Sequence, residues 1–434
     1  MTPPSSLEPR HSSLFVGIDL GTSGCRAITI DEQARPVCNI ALSWPAPTVN
    51  DARVEQDATV WWQTLQQLLT QLCQTIPAGQ VQAICLDGTS GTVLLADEQG
   101  RPLAPALMYN DGRAVQEAQT LHGIAPADSA VHSASAGLAK LLWLKKQDYA
   151  QQARYFLHQV DWINGMLCEE FGVSDINNAL KTGYDPLQKK WPDWLDELAI
   201  PAGWLPRVVA PGTPIGTLSD ELVNKFGFSA GTKLLAGTTD STAAFMATGA
   251  SQPGEAVTSL GSTLVLKVIC EHPVFDAASG VYSQPYGKHW LVGGSSNSGG
   301  KVLRDFFTDT QMQAMQDQLD INTPSGLDYY PLPQTGERFP SNDPAMTPRM
   351  TPRPDDDVKF FQGLLEGIAR IEQSGYAKLH QLGTPYPVSV RSVGGGAKNE
   401  HWTTMRQRLL NVPMLKTQHT DAAYGVALLA RLSP

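Results

Sequence analysis

Five times along this chain of 434 residues an apolar run ends in a glycine turn that also carries Thr, Ser or Asp. Leu14-Phe-Val-Gly-Ile-Asp19 precedes Leu20-Gly-Thr-Ser-Gly24, and Val81 to Leu86 precedes Asp87-Gly-Thr-Ser-Gly91. Lys233 to Ala236 runs into Gly237-Thr-Thr-Asp-Ser241, Ala256 to Leu260 into Gly261-Ser-Thr263, and Val388 to Val393 into Gly394-Gly-Gly-Ala-Lys-Asn399. Apolar runs of this length bounded by glycine read as strands, so each turn sits at a strand end. Glycine lets backbone amides approach an oxyanion, Ser and Thr add hydroxyl donors, and a turn that aims successive amides inward makes an anion nest. A single such turn is ordinary hairpin chemistry. Five of them point to a polyphosphate guest.

The segments between these turns carry helical periodicity. Val60, Trp61, Leu65, Leu68, Leu69, Leu72, Cys73 and Ile76 lie on one face of a helix that Asp57 or Thr59 would cap. The longest helix is expected over Val358 to Gln381, where Phe360, Phe361, Leu364, Leu365, Ile368, Ile371 and Leu379 form the packing stripe and Gly383 ends it. Asn342 to Asp357, rich in proline, reads as the loop before it, and Ala422 to Leu432 as a closing helix of small residues. Strands alternating with helices define an α/β fold. The length suggests two large domains, and the second half repeats the grammar of the first. Trp191 to Phe228 is turn-like, which sets the expected division at residues 13–229 and 230–434, with a hinge near 229–236. Met1 to Ser13 is polar and reads as a loose N-terminus.

Several function classes lose support. A net charge of −10 disfavours a nucleic-acid or anionic-membrane surface, while leaving room for one basic phosphate pocket. Six cysteines without a C-x-x-C pair indicate neither a zinc site nor a disulfide framework. No run approaches the ~18 apolar residues of a membrane span, so the expectation is a cytoplasmic protein. Neither G-x-x-x-x-G-K-[ST] nor G-x-G-x-x-G occurs; Gly299-Gly-Lys-Val302 lacks both the upstream glycine and the hydroxyl residue. H-E-x-x-H and H-R-D patterns are also missing.

The motifs resemble those of the FGGY carbohydrate kinases, two-domain members of the actin-like, Hsp70-like and sugar-kinase superfamily. Gly17-Ile-Asp-Leu-Gly-Thr-Ser23 is similar to the family's first phosphate hairpin, and Tyr109-Asn-Asp-Gly-Arg113 to its Trp-Asn-Asp-x-Arg sugar segment. Ala236-Gly-Thr-Thr-Asp-Ser-Thr-Ala243 resembles the base motif Gly-x-x-Asp-x-x-Ala. Ser259-Leu-Gly-Ser-Thr263 resembles the second phosphate hairpin, and Gly394-Gly-Gly-Ala-Lys-Asn-Glu-His-Trp402 the adenosine motif. The resemblance spans nearly the whole chain and implies two actin-like, ribonuclease H-like ATPase domains, with ATP and sugar in a cleft that closes on sugar binding. It implies Asp240 as general base, and Asp19 and Asp240 as the carboxylates for Mg²⁺, Asp19 through water. Gly21, Thr22, Ser23, Gly261, Ser262 and Thr263 would contact phosphates, and Gly394, Gly395, Gly396, Ala397 and Asn399 would line the adenine. The sugar would meet Asp19, Thr89, Ser90, Asp111, Arg113 and Asp240. Where xylulose kinases of the family carry Met-His-Gly, this chain has Thr89-Ser-Gly91, and Tyr109 replaces the usual Trp. The Asp-Gly-Thr-Ser-Gly-Thr form is similar to compact ribulose kinases, which puts D-ribulose first and D-xylulose second. The partners implied are a ketopentose and ATP, for a monomer or homodimer.

Each residue also has a plainer reading. Asp19 could close a hairpin, Asp87 could cap a turn, Asp111 and Arg113 could pair at the surface, and Asp240 could cap a helix. His132, His158 and His289 lack partners at ligand spacing, and Trp61, Trp62, Trp143 and Trp162 read as core or site wall. Two other function classes stay open, a superfamily ATPase or phosphatase without sugar acceptor, and a catalytically silent sugar sensor. The retained Asp240 speaks against the sensor.

Overall fold

The computed structural model describes residues 13–432; the N-terminal stretch expected to be loose lies, but for Ser13, outside them. The chain forms two compact units. One holds everything up to Ala247 together with the segment from Asp421 onwards, and the other is Thr248–Thr420.

The first unit is organised on a six-stranded mixed sheet. Its strands are β1 (Leu14–Leu20), β2 (Gly24–Asp31), β3 (Pro36–Ser43), β4 (Val81–Gly88), β5 (Pro214–Thr217) and β6 (Lys233–Thr239), in the order β5-β6-β4-β1-β2-β3. β1 and β2 form the expected hairpin, while β4 lies parallel to β1 and β6 parallel to β4. The amphipathic helix runs from Ala58 to Thr75, and the Asp57 carboxylate accepts the Thr59 amide at its start. Its stripe of Trp61, Leu65, Leu68, Leu69 and Leu72 is buried, and Trp61 meets Trp162 edge-on at 6.2 Å.

Several expectations change here. The stretch 229–236 does not separate two units, because it leads into β6, which takes a central place in the first sheet beside β4. The division falls instead after Ala247, and the closing helix Ala422–Leu432 returns to the first unit. That return depends on small residues. A β-carbon at Gly17 of β1 would lie 2.0 Å from the Ala423 carbonyl oxygen, and one at Gly425 would lie 1.9 Å from that of Ala243. Helix and sheet thus approach at backbone distance, a tertiary fact that no local spacing announces. The strand after the Asp87 turn, Val93–Ala96, joins a separate five-stranded sheet. The turn-like stretch before residue 229 also holds a helix, Asp220–Phe226.

The second unit repeats the plan. Strands β7 (Glu255–Leu260), β8 (Leu264–Cys270), β9 (Tyr282–Tyr286), β10 (His289–Ser296), β11 (Ser389–Val393) and β12 (Met414–Leu415) are ordered β9-β10-β8-β7-β11-β12. β7 and β8 are a hairpin, and β11 lies parallel to β7, as β4 does to β1. The long helix spans Asp357–Gln381 and is capped by Asp356. Fully buried Glu372 on this helix receives two Arg406 hydrogen bonds of 2.6 Å, and Arg406 also donates to Ser392 Oγ. Thr258 Oγ1 donates to the same Glu372. One ion pair therefore ties the helix to β7 and β11. No helix among the described residues is long and apolar enough to cross a membrane.

Candidate active site

In the first unit the parallel register sets Asp19 opposite Asp87, and Asp87 opposite Thr238. Asp19, Asp87 and Asp240 therefore gather where β1, β4 and β6 end, the edge at which open α/β sheets bind ligands. The Asp240–Ala247 helix begins on Asp240 itself, and its Oδ1 accepts the Ser241 amide at 2.6 Å. The structure thus holds the helix-start reading and the strand-end reading at once. Gly237 is obligatory on the way, since a β-carbon there would fall 1.6 Å from the Leu86 carbonyl oxygen.

The three carboxyls are not equivalent. Asp87 is fully buried, and its oxygens receive no hydrogen bond from an ordinary donor. Burial first, then the charges of Asp19 and Asp240, hold its acid well above the usual carboxylate range. It contacts Asp19, and two ionised carboxylates can only accept. Burial and the neighbouring negative charges thus both favour the protonated, neutral form of Asp87, the form that can donate to a neighbouring carboxylate. Burial also raises Asp19, an effect that the contact with Asp87 and the charge of Arg26 oppose.

The first turn is braced through its carbonyls. Gly21 donates its amide to Gly24 O at 2.9 Å, Trp44 donates to Ser23 O through its backbone and to Thr22 O through its indole, and Gln56 donates to Thr22 O. The Gly21 amide is thereby spent on the hairpin, so that Thr22 and Ser23 carry the turn's outward face. Trp44 and Gln56 lie far off in sequence and had no local signal.

The Thr89 and Asp111 segments are more internally committed than their motifs suggest. Asp111 is fully buried, takes the Val54 amide at 2.6 Å and is gripped by Arg113 through Nε and Nη2. Arg113 reaches Glu55 with Nη1 at 2.6 Å and lies over the Trp143 ring at 4.8 Å. The pair is thus a buried cluster rather than a surface one. Thr89 gives its hydroxyl and amide to Gln159 Oε1 and meets Thr92 Oγ1 at 2.5 Å, whereas Ser90 is only half-buried. Sequence reasoning missed Glu55, Gln159 and the buried Lys140; each sits in an element without a glycine turn. His158 is buried, with Nδ1 on Asp161 and Nε2 on Thr182.

In the second unit Gly261-Ser-Thr263 and Gly394 adjoin at the ends of parallel β7 and β11, where Ser259 faces Val393. Gly394 has φ 86°, and a β-carbon on it would meet the Leu260 carbonyl oxygen at 2.7 Å. The near-miss Gly299-Gly300-Lys301 finds its use as a strut: the Gly300 amide donates to Gly261 O at 2.8 Å and the Lys301 amide to Ser262 O at 3.2 Å. Gly395 to Ala397 form a short 3₁₀ turn, and Asn399 caps the next helix by accepting the Trp402 amide at 2.9 Å. Beside these turns opens a cavity of about 530 Å³, walled by Leu260, Leu303, Phe361, Leu365 and Trp402 and lined by Gly395, Gly396 and Asn399. Arg304, Asp309, Gln313, Gln316 and Lys398 also line it, so apolar walls alternate with polar groups, as in small-molecule sites. Among the described residues no group of three or more His, Cys, Asp or Glu is disposed to hold a metal ion.

The pattern of the FGGY family of carbohydrate kinases matches residues 14–247 with its N-terminal domain and 256–433 with its C-terminal domain. The chain is 27% identical to the xylulose kinase of Escherichia coli (strain K12), over 97% of this chain and 90% of that one. It is 23% identical to the gluconokinase of Bacillus subtilis (strain 168), over 91% and 82% of the two. A solved structure described as a xyloylose kinase from Brucella ovis superposes with a TM-score of 0.88 at 25% identity, covering 97% of this chain and 90% of that one. With strand-end turns, a cavity beside them and both domain patterns in place, the chain belongs to the FGGY family of carbohydrate kinases and is an ATP-dependent sugar kinase.

Proposed function

We propose that the enzyme transfers the γ-phosphate of MgATP to the terminal hydroxyl of a ketopentose, D-ribulose, giving the 5-phosphate and ADP. The observation that carries the reading is the placement of Asp240 at the end of β6, in the same carboxyl row as Asp19. With Asp87 neutral, this row has a carboxylate for each of two tasks. Asp240 takes the proton of the sugar hydroxyl as it attacks, and Asp19 would help hold a metal ion beside the nucleotide. Mg²⁺, when bound, draws charge from the β- and γ-phosphates, and hard carboxylate oxygens such as those of Asp19 and Asp240 suit it; a kinase site needs only one or two beside the nucleotide. Thr22, Ser23 and the Gly261-Ser-Thr263 turn bind phosphate oxygens, while the cavity beside Gly394 to Ala397 and Asn399 takes the base. Ser90 addresses the sugar directly. Thr89, Asp111 and Arg113 shape its seat through the contacts above. The protein acts in the cytoplasm as a monomer or homodimer.

D-Xylulose is the second reading, favoured by the relatives named xylulose kinase. A coupled ADP-release screen over ribulose, xylulose, the pentitols, glycerol, gluconate and hexoses decides among them. Asp240→Ala should bind ATP and lose about 10² to 10⁴ in kcat. Retention of more than about a tenth of kcat refutes the base assignment.

A further inference from the structure

Lys140, on the helix Gly137–Lys145, is wholly buried, and its ammonium donates to two backbone carbonyls, Gly91 O at 2.8 Å and Met108 O at 2.6 Å. Among the described residues no carboxylate forms an ion pair with it. An ammonium taken out of water without a counter-charge is costly, and burial, joined by the repulsion of Lys181 and Arg113, pushes its pKa down to about 7 despite the attraction of Asp111. Packing alone would be served as well by Met or Leu.

The two carbonyls belong to the two sugar segments. Gly91 closes the Thr89-Ser90 turn with φ 85°. Met108 O also accepts the Asp111 amide at 2.9 Å and so heads the turn that carries Tyr109 and Asp111. One further bond joins the same segments, from the Tyr109 amide to Thr92 Oγ1 at 2.9 Å, and Thr92 N in turn donates to Thr89 O. The Lys181 stem lies on the other side of Gly91, where a β-carbon on the glycine would meet its Cδ at 3.9 Å.

We propose that Lys140 is a positioning residue of the sugar site, its ammonium fastening the Thr89–Gly91 turn to the Met108–Arg113 segment so that Ser90 and Tyr109 are presented to the sugar as one preformed surface. The proposal rests on the sugar-kinase reading of these turns. A preformed surface spares the sugar the cost of ordering two loops, and that gain is read in its affinity.

The test compares the full chain with Lys140→Met and with Leu141→Ala, a fully buried neighbour on the same helix that touches neither carbonyl. Lys140→Met should raise the sugar KM by about tenfold or more and leave the ATP KM within about twofold, while Leu141→Ala loses stability with its sugar KM within about threefold. In hydrogen exchange, the amides of Thr92, Tyr109 and Asp111 should open faster in Lys140→Met alone. An unchanged sugar KM with unchanged exchange, or equal effects in Leu141→Ala, overturns the proposal. If wild type phosphorylates no sugar in the screen, the substrate reading fails, and exchange at those three amides decides the Lys140 tie by itself. Should Lys140→Met not fold, Thr92→Val cuts the companion bond at near-constant volume. An unaltered sugar KM and unaltered Tyr109 exchange in that variant would equally sink the idea.

Discussion

Glu372→Gln should be among the most damaging single substitutions in the Thr248–Thr420 unit, although it changes one atom. Arg406 is fully buried, and both Glu372 oxygens accept from it at 2.6 Å. An amide turns one of those acceptors into a donor facing a guanidinium, and arginine cannot escape by losing its proton. Breaking a buried pair from one side costs about 3 to 5 kcal/mol. At about 2 to 4 °C per kcal/mol for a unit of this size, its thermal transition should fall by roughly 6 to 20 °C. Calorimetry and urea titration of the full chain measure both quantities. The sharper arm is the double substitution Glu372→Leu with Arg406→Met, which removes both charges and should regain most of the loss, because two apolar groups need no partners. The ATP KM should rise in Glu372→Gln, since Thr258 and Ser392 tie the pair to the strands that end at Gly261 and Gly394. A single-variant loss below about 1 kcal/mol, or a double variant no more stable than the single, refutes the reasoning.

Gly394→Ala should raise the ATP KM at least about tenfold with the sugar KM unchanged, as its β-carbon would strike Leu260 O from a left-handed backbone that alanine resists; an unaltered ATP KM counts against the nucleotide site. Asp87→Asn should keep kcat within about fivefold while Asp87→Ala does not, because an amide N–H can donate to Asp19 as the neutral acid does; a loss of two decades in the Asn variant would show that Asp87 works ionised. Two buried groups set opposite pH slopes on stability. Burial, with the charge of Asp161, raises Asp175 to about 7, so between about pH 4 and 7 the folded protein holds a proton that the unfolded chain has lost, and stability falls as pH rises. Lys140 is lowered to about 7, so from there to about pH 10 the unfolded chain holds the extra proton, and stability rises with pH. Urea midpoints against pH should lose the first slope in Asp175→Asn and the second in Lys140→Met; slopes that persist in these variants refute the assignment.

The sequence alone determined the strand-end turns, the cap and stripe of Ala58–Thr75, the long helix Asp357–Gln381 and the repetition of one sheet plan. These depend on periods of two and 3.6 and on glycine geometry, which act over a few residues. Through them the kinase family was legible, together with the place of Asp240 at a strand end. Tertiary structure decided the rest. That β6 belongs to the first sheet, and that the last helix returns to Gly17, follow from pairings across some 150 and 400 residues, which carry no local trace. The same distance hid Lys140, Gln159 and the Trp44 brace, and it set Asp111 and Arg113 in a buried cluster with Glu55. A motif specifies which groups are available at a strand end. Only the fold settles which of their hydrogen bonds are already taken, because a buried polar group left without a partner costs more than any short motif can record.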